Sequence, residues 1–180
     1  MKATGIVRRI DDLGRVVIPK EIRRTMRIRE GDPLEIFTSS DGEVVFKKYS
    51  PIGEMNAYAN EYADVLSKVG GLPVLICDKD HVVAAAGIPK KEVLERRVSP
   101  LLEDAMKVRR VINYTDKSDD RIKPVEGIDR HALVCYPIVA SSDVCGAVMY
   151  VANDVDDVSD ETKRKLIESA AGFIGRQMES

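Results

Sequence analysis

Thr4 to Ile28 reads TGIVRRIDDLGRVVIPKEIRRTMRI. Arg8, Arg9, Arg15, Lys20, Arg23, Arg24 and Arg27 stand around very short apolar runs: Ile6-Val7, Val16-Val17-Ile18 and Met26/Ile28. The apolar residues are too few to close a core inside one chain, yet many positions go to cations. The pattern implies a small obligate oligomer that presents guanidinium groups to something anionic. Alternation around Ile6, Arg8 and Ile10 predicts a strand over 3–10. Asp11-Asp12-Leu13-Gly14 is a turn signal, and 15–18 is a second short strand. Ile18-Pro19 opens a helix to Met26, with Glu21 in its first turn complementing the dipole and Gly31 as its stop. Pro33–Thr38 and Glu43–Tyr49 read as strands around the hairpin turn Ser40-Asp41-Gly42. This β-β-α-β-β unit of about fifty residues is near the lower limit for independent folding, so dimerisation through shared strands is the natural remedy.

Outward from this stretch the chain changes character. It has 180 residues and a formal net charge of -2. Through Ser50 there are eleven basic against eight acidic residues, a net +3; the remainder carries seventeen against twenty-two, a net -5. The asymmetry fits a polyanion-binding head on an acidic partner domain. The expected division is a head over 1–50, a linker over 51–55 and a second domain over 56–180.

In the second domain Met55, Ala59, Tyr62, Leu66 and Val69 recur at spacings of four, three, four and three. They form an a/d seam of about two heptads. Two readings stand side by side: an oligomerisation seam, or an amphipathic helix lying on its own domain. Gly70-Gly71 ends the helix. Leu72–Cys77 and His81–Ala86 form a hairpin, Pro100–Val108 a helix, Arg110–Tyr114 a short strand and 115–127 a charged loop. His131–Val139 and Val144–Ala152 form another hairpin. A last helix is capped by Ser159, with Leu166, Ile167, Ala170, Ala171, Phe173, Ile174 and Met178 on its apolar side. The fold class is α+β, an antiparallel sheet with flanking helices.

The remaining polar features carry little chemistry. His81 and His131 are far apart, so neither a metal site nor a Ser/His/Asp triad is indicated. Asp154, Asp156, Asp157 and Asp160 suggest a calcium loop, but Val158 and Ser159 stand where such a loop needs a ligand and a glycine. Asp116, Asp119 and Asp120 beside Lys117 and Arg121 read as a solvated loop. Cys77, Cys135 and Cys145 lie in apolar runs without a CxxC and read as buried thiols of a reducing cytosol. No apolar run approaches the roughly 18 residues of a membrane helix. A cytoplasmic protein that is not an enzyme is expected.

The segment TGIVRRIDDLGRVVIPKEIRRTMRIREGDPLEIF resembles the AbrB-type DNA-binding domain of bacterial transition-state regulators. The resemblance rests on Gly5-Ile6-Val7-Arg8, Leu13–Pro19, Glu21–Arg24, Gly31-Asp32 and Leu34-Glu35-Ile36. The second half is similar in element order to a GAF domain, and the pairing of the two resembles regulators of spore-forming bacteria. The resemblance implies a swapped-hairpin β-barrel dimer that binds double-stranded DNA, probing it with Arg8, Arg15, Arg23 and Arg24. Lys2, Arg9 and Lys20 extend the basic surface. It implies a transcriptional activator and repressor of sporulation genes, dimeric or tetrameric. The GAF-like half would assemble the oligomer or sense a signal. No cofactor is implied, although a small molecule could occupy a pocket roofed by Pro89–Met106 and the 115–127 loop. A different class is an antitoxin, since AbrB-type folds also occur in toxin–antitoxin pairs; there the chain beyond the barrel is a disordered tail. A third reading is a GAF-like scaffold without a ligand. Arginine suits the DNA role because its planar fork grips phosphate or the guanine edge in bidentate fashion. No aromatic residue interleaves with the cations, which argues against base stacking on single strands.

Overall fold

The computed structural model describes residues 4–115, 121–154 and 157–179, in two compact units that divide between Tyr49 and Ser50.

In the first unit Asp11–Gly14 forms the expected turn. Gly14 takes φ 76° and its N–H donates to the Asp11 carbonyl at 3.0 Å, while the Asp11 N–H donates to Arg15 O at 3.1 Å. Pro19 precedes the short helix α1 (Lys20–Thr25), which buries no residue. The helix does not run on to Gly31. It ends where Arg27 turns left-handed at φ 51°, and the Ile28 N–H reaches back to Arg23 O at 2.8 Å. This is the Schellman pattern of bonding, made without glycine. Strands β1 (Leu34–Thr38) and β2 (Val44–Lys48) form the expected hairpin, with Ile36 opposite Phe46.

The strands expected over 3–10 and 15–18 do not appear as paired strands among the described residues. The physical reason is pairing. A strand exists by its ladder, and within one chain these segments have no neighbour to supply it. The same deficit shows in the apolar residues. Val7 is 87%, Val17 71% and Ile36 61% exposed. Pro19 alone is buried among the described residues of the unit.

The second unit is built differently. Residues 51–55, expected as a linker, are instead a helical turn, α2 (Pro51–Glu54). Ser50 caps it, its Oγ accepting the Gly53 N–H at 3.1 Å. Ile52 explains the difference, since its side chain is fully buried in the core of this unit. Helix α3 (Asn56–Gly70) follows and ends at Gly71 in the left-handed region. The sheet comprises β3 (Val74–Asp78), β4 (Val82–Ala86), β5 (Ile112–Asn113), β6 (Ala132–Ala140) and β7 (Asp143–Val151), in spatial order β4-β3-β7-β6-β5 and antiparallel throughout. Two short helices lie between β4 and β5: α4 (Lys90–Val93), which the sequence pattern did not reveal, and α5 (Pro100–Lys107). Helix α6 (Glu161–Gln177) closes the chain.

Both faces of the sheet are covered. Val74, Ile76, Val148 and Tyr150 point to one face, where α3 and α6 pack; Leu75, Cys77, Ala147 and Met149 point to the other, under α5. Alternate residues of one strand therefore serve two cores, and the strands read as unbroken apolar runs. Gly146 marks the closest approach. A Cβ there would lie 2.0 Å from the Cys77 carbonyl oxygen and 2.7 Å from Ile52 Cδ1. The cap of α6 is Asp160, whose Oδ1 accepts the Lys163 N–H at 2.8 Å. Ser159, the expected cap, is buried and its hydroxyl donates to Asn113 Oδ1 at 2.5 Å.

Candidate nucleic-acid interface

The cations of the first unit divide between the extended segment and turn before Pro19 and the helix after it. Arg8 and Arg9 lie on the extended segment and are exposed. Arg15 closes the turn. The Asp11 carboxylate organises it: Oδ1 accepts the N–H groups of Leu13 at 3.1 Å and Arg15 at 2.7 Å, and Oδ2 accepts Arg15 Nε–H at 2.7 Å. The Arg15 backbone N–H and then its guanidinium hold the Asp11 carboxyl below the usual carboxylate range. The Arg15 side chain nevertheless stays 69% exposed. With Nε engaged, the two terminal nitrogens remain to grip an oxyanion.

Lys20, Arg23 and Arg24 project from α1, and all three are exposed. Arg23 and Arg24 fall in the last helical turn, where a cation also complements the dipole by about 0.3–1 kcal/mol. Six residues give less than two turns, too short for the helix to read a groove along its length. Lys2 lies outside the described residues. Thus Arg8, Arg9, Arg15, Lys20, Arg23 and Arg24 belong to one unit, whose excess charge is positive.

Sequence reasoning missed a supporting cluster behind α1. Asp32 Oδ2 accepts the Arg29 N–H at 2.9 Å, and Lys48 Nζ lies 3.5 Å from the same carboxylate oxygen while donating to Arg27 O at 3.0 Å. These contacts tie the end of α1 to β2, so Lys48 positions the arginine-bearing helix. No signal in the sequence pointed to it, since Lys48 comes opposite Leu34, near Asp32, only in the folded hairpin.

The seam on α3 is split by the structure. Ala59 and Leu66 face inward, each 4% exposed, with Ala63 between them in the core. Tyr62 is half-buried and packs on Phe173 with ring centroids 5.2 Å apart. Met55 is half-buried, and Val69 is 66% exposed. At about 100° per residue, Tyr58, Tyr62, Val65 and Val69 fall within about 60° of one another. The outward apolar stripe is therefore turned away from the Ala59–Leu66 face. Leu66 is a residue of the unit's own core, not an intermolecular contact.

The pocket expected beneath Pro89–Met106 and the 115–127 loop falls in part on residues outside the described ones, 116–120. Val93, Val98, Leu102, Met106, Ile122 and Val125 are buried there. Cys77 and Cys135 are buried beneath the same side, and desolvation pushes the Cys135 thiol up to about 12 and Cys77 upward too. As thiols rather than thiolates, both are inert toward electrophiles at neutral pH. None of the three cysteines forms a disulfide.

Comparison with known proteins now bears on this geometry. Residues 54–179 match the family described as stage V sporulation protein T C-terminal, transcription factor. Stage V sporulation protein T of Bacillus subtilis (strain 168) is 52% identical over 181 aligned residues, which cover 99% of each chain. The chain belongs to the stage V sporulation protein T family. Its first unit is shared with a second regulator: the transition state regulatory protein AbrB of the same organism is 48% identical over 75 residues, covering 42% of this chain and 77% of that one. Residues 7–53 also match the family of MazE, antidote-toxin recognition, bacterial antitoxin. The second unit of this stage V sporulation protein T family member shares its fold with the GAF domain of an Acinetobacter phosphoenolpyruvate-protein phosphotransferase, at a TM-score of 0.56 and 10% identity over 73% of this chain and 84% of that one. The fold is thus α+β, an AbrB-type unit followed by a GAF-like one.

Proposed function

We propose that this chain is a regulator of sporulation genes that binds duplex DNA through two copies of its first unit. One observation carries the reading. Arg8, Arg9, Arg15, Lys20, Arg23 and Arg24 stand exposed on a unit whose own apolar residues find no cover within one chain. A second copy supplies both needs: it pairs the segments around 5–10 and 15–18 and buries Val7, Val17 and Ile36. Each such side chain gains about 1.5–3 kcal/mol when fully covered. The pairing also duplicates every arginine across a two-fold axis, which suits a site of matching symmetry. With so short a helix, selectivity comes largely from DNA shape and deformability.

The stripe Tyr58, Val65 and Val69, with Phe173 beside Tyr62, is the contact by which two such dimers make a tetramer. Regulation includes activation and repression, and its place is the bacterial cytoplasm, where the DNA is. No helix among the described residues is long and apolar enough to cross a membrane. The antitoxin reading is disfavoured by the folded unit that follows Tyr49, where an antitoxin would carry a disordered tail. Catalysis is disfavoured by the description of the relatives as transcription factors.

The test is a gel shift with the Arg23→Glu/Arg24→Glu double variant. Affinity for duplex DNA falls at least 100-fold, while the thermal transition stays in place. The wild-type logarithmic salt slope is about -0.9 for each neutralised phosphate. Wild-type retention by the double variant would overturn the assignment.

A further inference from the structure

Within the second unit, the β3–β4 turn, the α2–α3 corner and the end of α4 line an open cavity of about 410 Å³, with Glu95 at its exposed rim. That is inside the range of roughly 300–1,000 Å³ typical of small-molecule sites. Its polar wall is made by Asn56, Asp78, His81 and Glu95, and its apolar wall by Val82, Val83 and Leu94. The cavity is distinct from the packed region under α5.

The wall has a definite sign. Asp78 Oδ1 accepts the N–H groups of Asp80 and His81 at 2.7 Å each, which aims the carboxylate and leaves Oδ2 for an occupant. Glu95 stands at φ 60°, a left-handed backbone uncommon for a residue with a side chain. Its N–H donates to Val82 O at 2.9 Å, fixing that backbone beside β4. Two carboxylates thus face the space, and among the described residues neither lysine nor arginine lines it. A phosphate, a nucleotide or the carboxylate of an amino acid meets uncompensated repulsion. A bare divalent ion wants six or more hard oxygen ligands, and the wall of Val82, Val83 and Leu94 gives it none. A cation carrying methylenes satisfies both walls.

We propose that this cavity binds a small aliphatic amine, its ammonium group between Asp78 and Glu95 and its hydrocarbon stem along Val82, Val83 and Leu94. Asn56 completes the polar wall, its Oδ1 held by Asn60 Nδ2–H at 2.5 Å. The site includes Gly53 and Asn56, the corner between α2 and α3. Because Ser50 caps Gly53, an occupant bears on the turn by which the chain enters this unit.

The experiment is calorimetric titration of the full chain with n-butylamine and 1,4-diaminobutane, with AMP, glutamate and Mg²⁺ as comparison solutes. Both amines are expected to bind and the comparison solutes to give no heat. Asp78→Asn keeps the acceptor that the turn needs, and Glu95→Gln keeps the shape of the side chain. Each weakens amine binding by about tenfold or more, as loss of one charge-assisted bond requires. Three results overturn the proposal: no heat with either amine, unchanged affinity in the Asp78→Asn/Glu95→Gln variant, or preference for a comparison solute. None of these readouts involves DNA, so they are independent of the first unit's role.

Discussion

The two units of this chain solve the problem of a small core in opposite ways. The second unit covers both faces of a five-stranded sheet with its own helices and loops. The first leaves Val7, Val17 and Ile36 facing solvent and spends its remaining surface on arginine. The lesson is that burial within one chain tells the two roles apart. A unit complete in itself needs no second copy to close its core; a unit incomplete in itself leaves apolar surface that a second copy could cover.

The sharpest way to break this contrast is Val17→Asp. If the first unit gains its core from a second copy, a carboxylate there removes the dimer and reduces DNA affinity by at least 100-fold. The melting transition of the second unit stays where it was. Light scattering and a gel shift read both effects, and a dimeric, DNA-binding variant would show that Val17 remains outside the shared core.

Gly146→Ala probes the opposite side. The added methyl meets the Cys77 carbonyl and Ile52, backbone and core that cannot move apart cheaply. A loss of about 3 kcal/mol is expected, at the upper end of over-packing. It should appear in chemical denaturation of the second unit alone.

On α3 the contrast can be drawn within one helix. Leu66→Ala costs about 2 to 3 kcal/mol of stability, as a buried leucine does, with no change in particle mass. Val69→Glu, only three residues on, alters stability by less than about 0.5 kcal/mol and halves the mass. The reverse pattern would return the intermolecular contact to Leu66.

The smallest expected effect concerns His131. The ring is buried, its Nε2 lacks a hydrogen-bond partner, and Tyr114 packs edge-on at 4.7 Å. Desolvation lowers its pKa below the usual 6.5, with the Arg121 charge adding to the effect and Asp157 opposing it. The unfolded chain therefore binds a proton before the folded one does. The stabilising contribution is full above pH 6.5 and falls as the pH drops through the folded value. Melting followed from pH 7.5 to 5 should show a shallow decline that His131→Phe flattens.

Much of this was legible because local chemistry decided it. Asp11–Gly14, the helix after Pro19 and the hairpin at Ser40–Gly42 follow from residues whose backbone preferences leave few choices. The strands of the second unit were visible as apolar runs, since both their faces are buried. What escaped was decided by partners distant in sequence. Residues 51–55 looked like a linker because Ser50, Pro51 and Gly53 punctuate the chain there, but Ile52 finds a hole above Gly146. The seam on α3 looked right by spacing, yet spacing fixes only which residues share a face, not what that face meets. Ser159 lost the cap to Asp160 because Asn113, forty-six residues earlier, holds its hydroxyl. Of the candidate interface, the arginines were readable one by one. The lysine at 48 that braces their helix was not, since its partners become neighbours only when the hairpin folds back.

The Asp11–Arg15 bridge has a consequence for the timing of recognition. The turn is already shaped when DNA arrives, so little ordering entropy is lost at the moment of contact. The carboxylate that shapes it also occupies one edge of the guanidinium, as a tethered rival to any phosphate. Under the proposed function, contact with DNA at Arg15 would therefore be an exchange of anions rather than the capture of one. An exchange rewards a phosphate held in register by the neighbouring arginines and gives little to one that drifts past, so the bridge acts as a filter on dwell time.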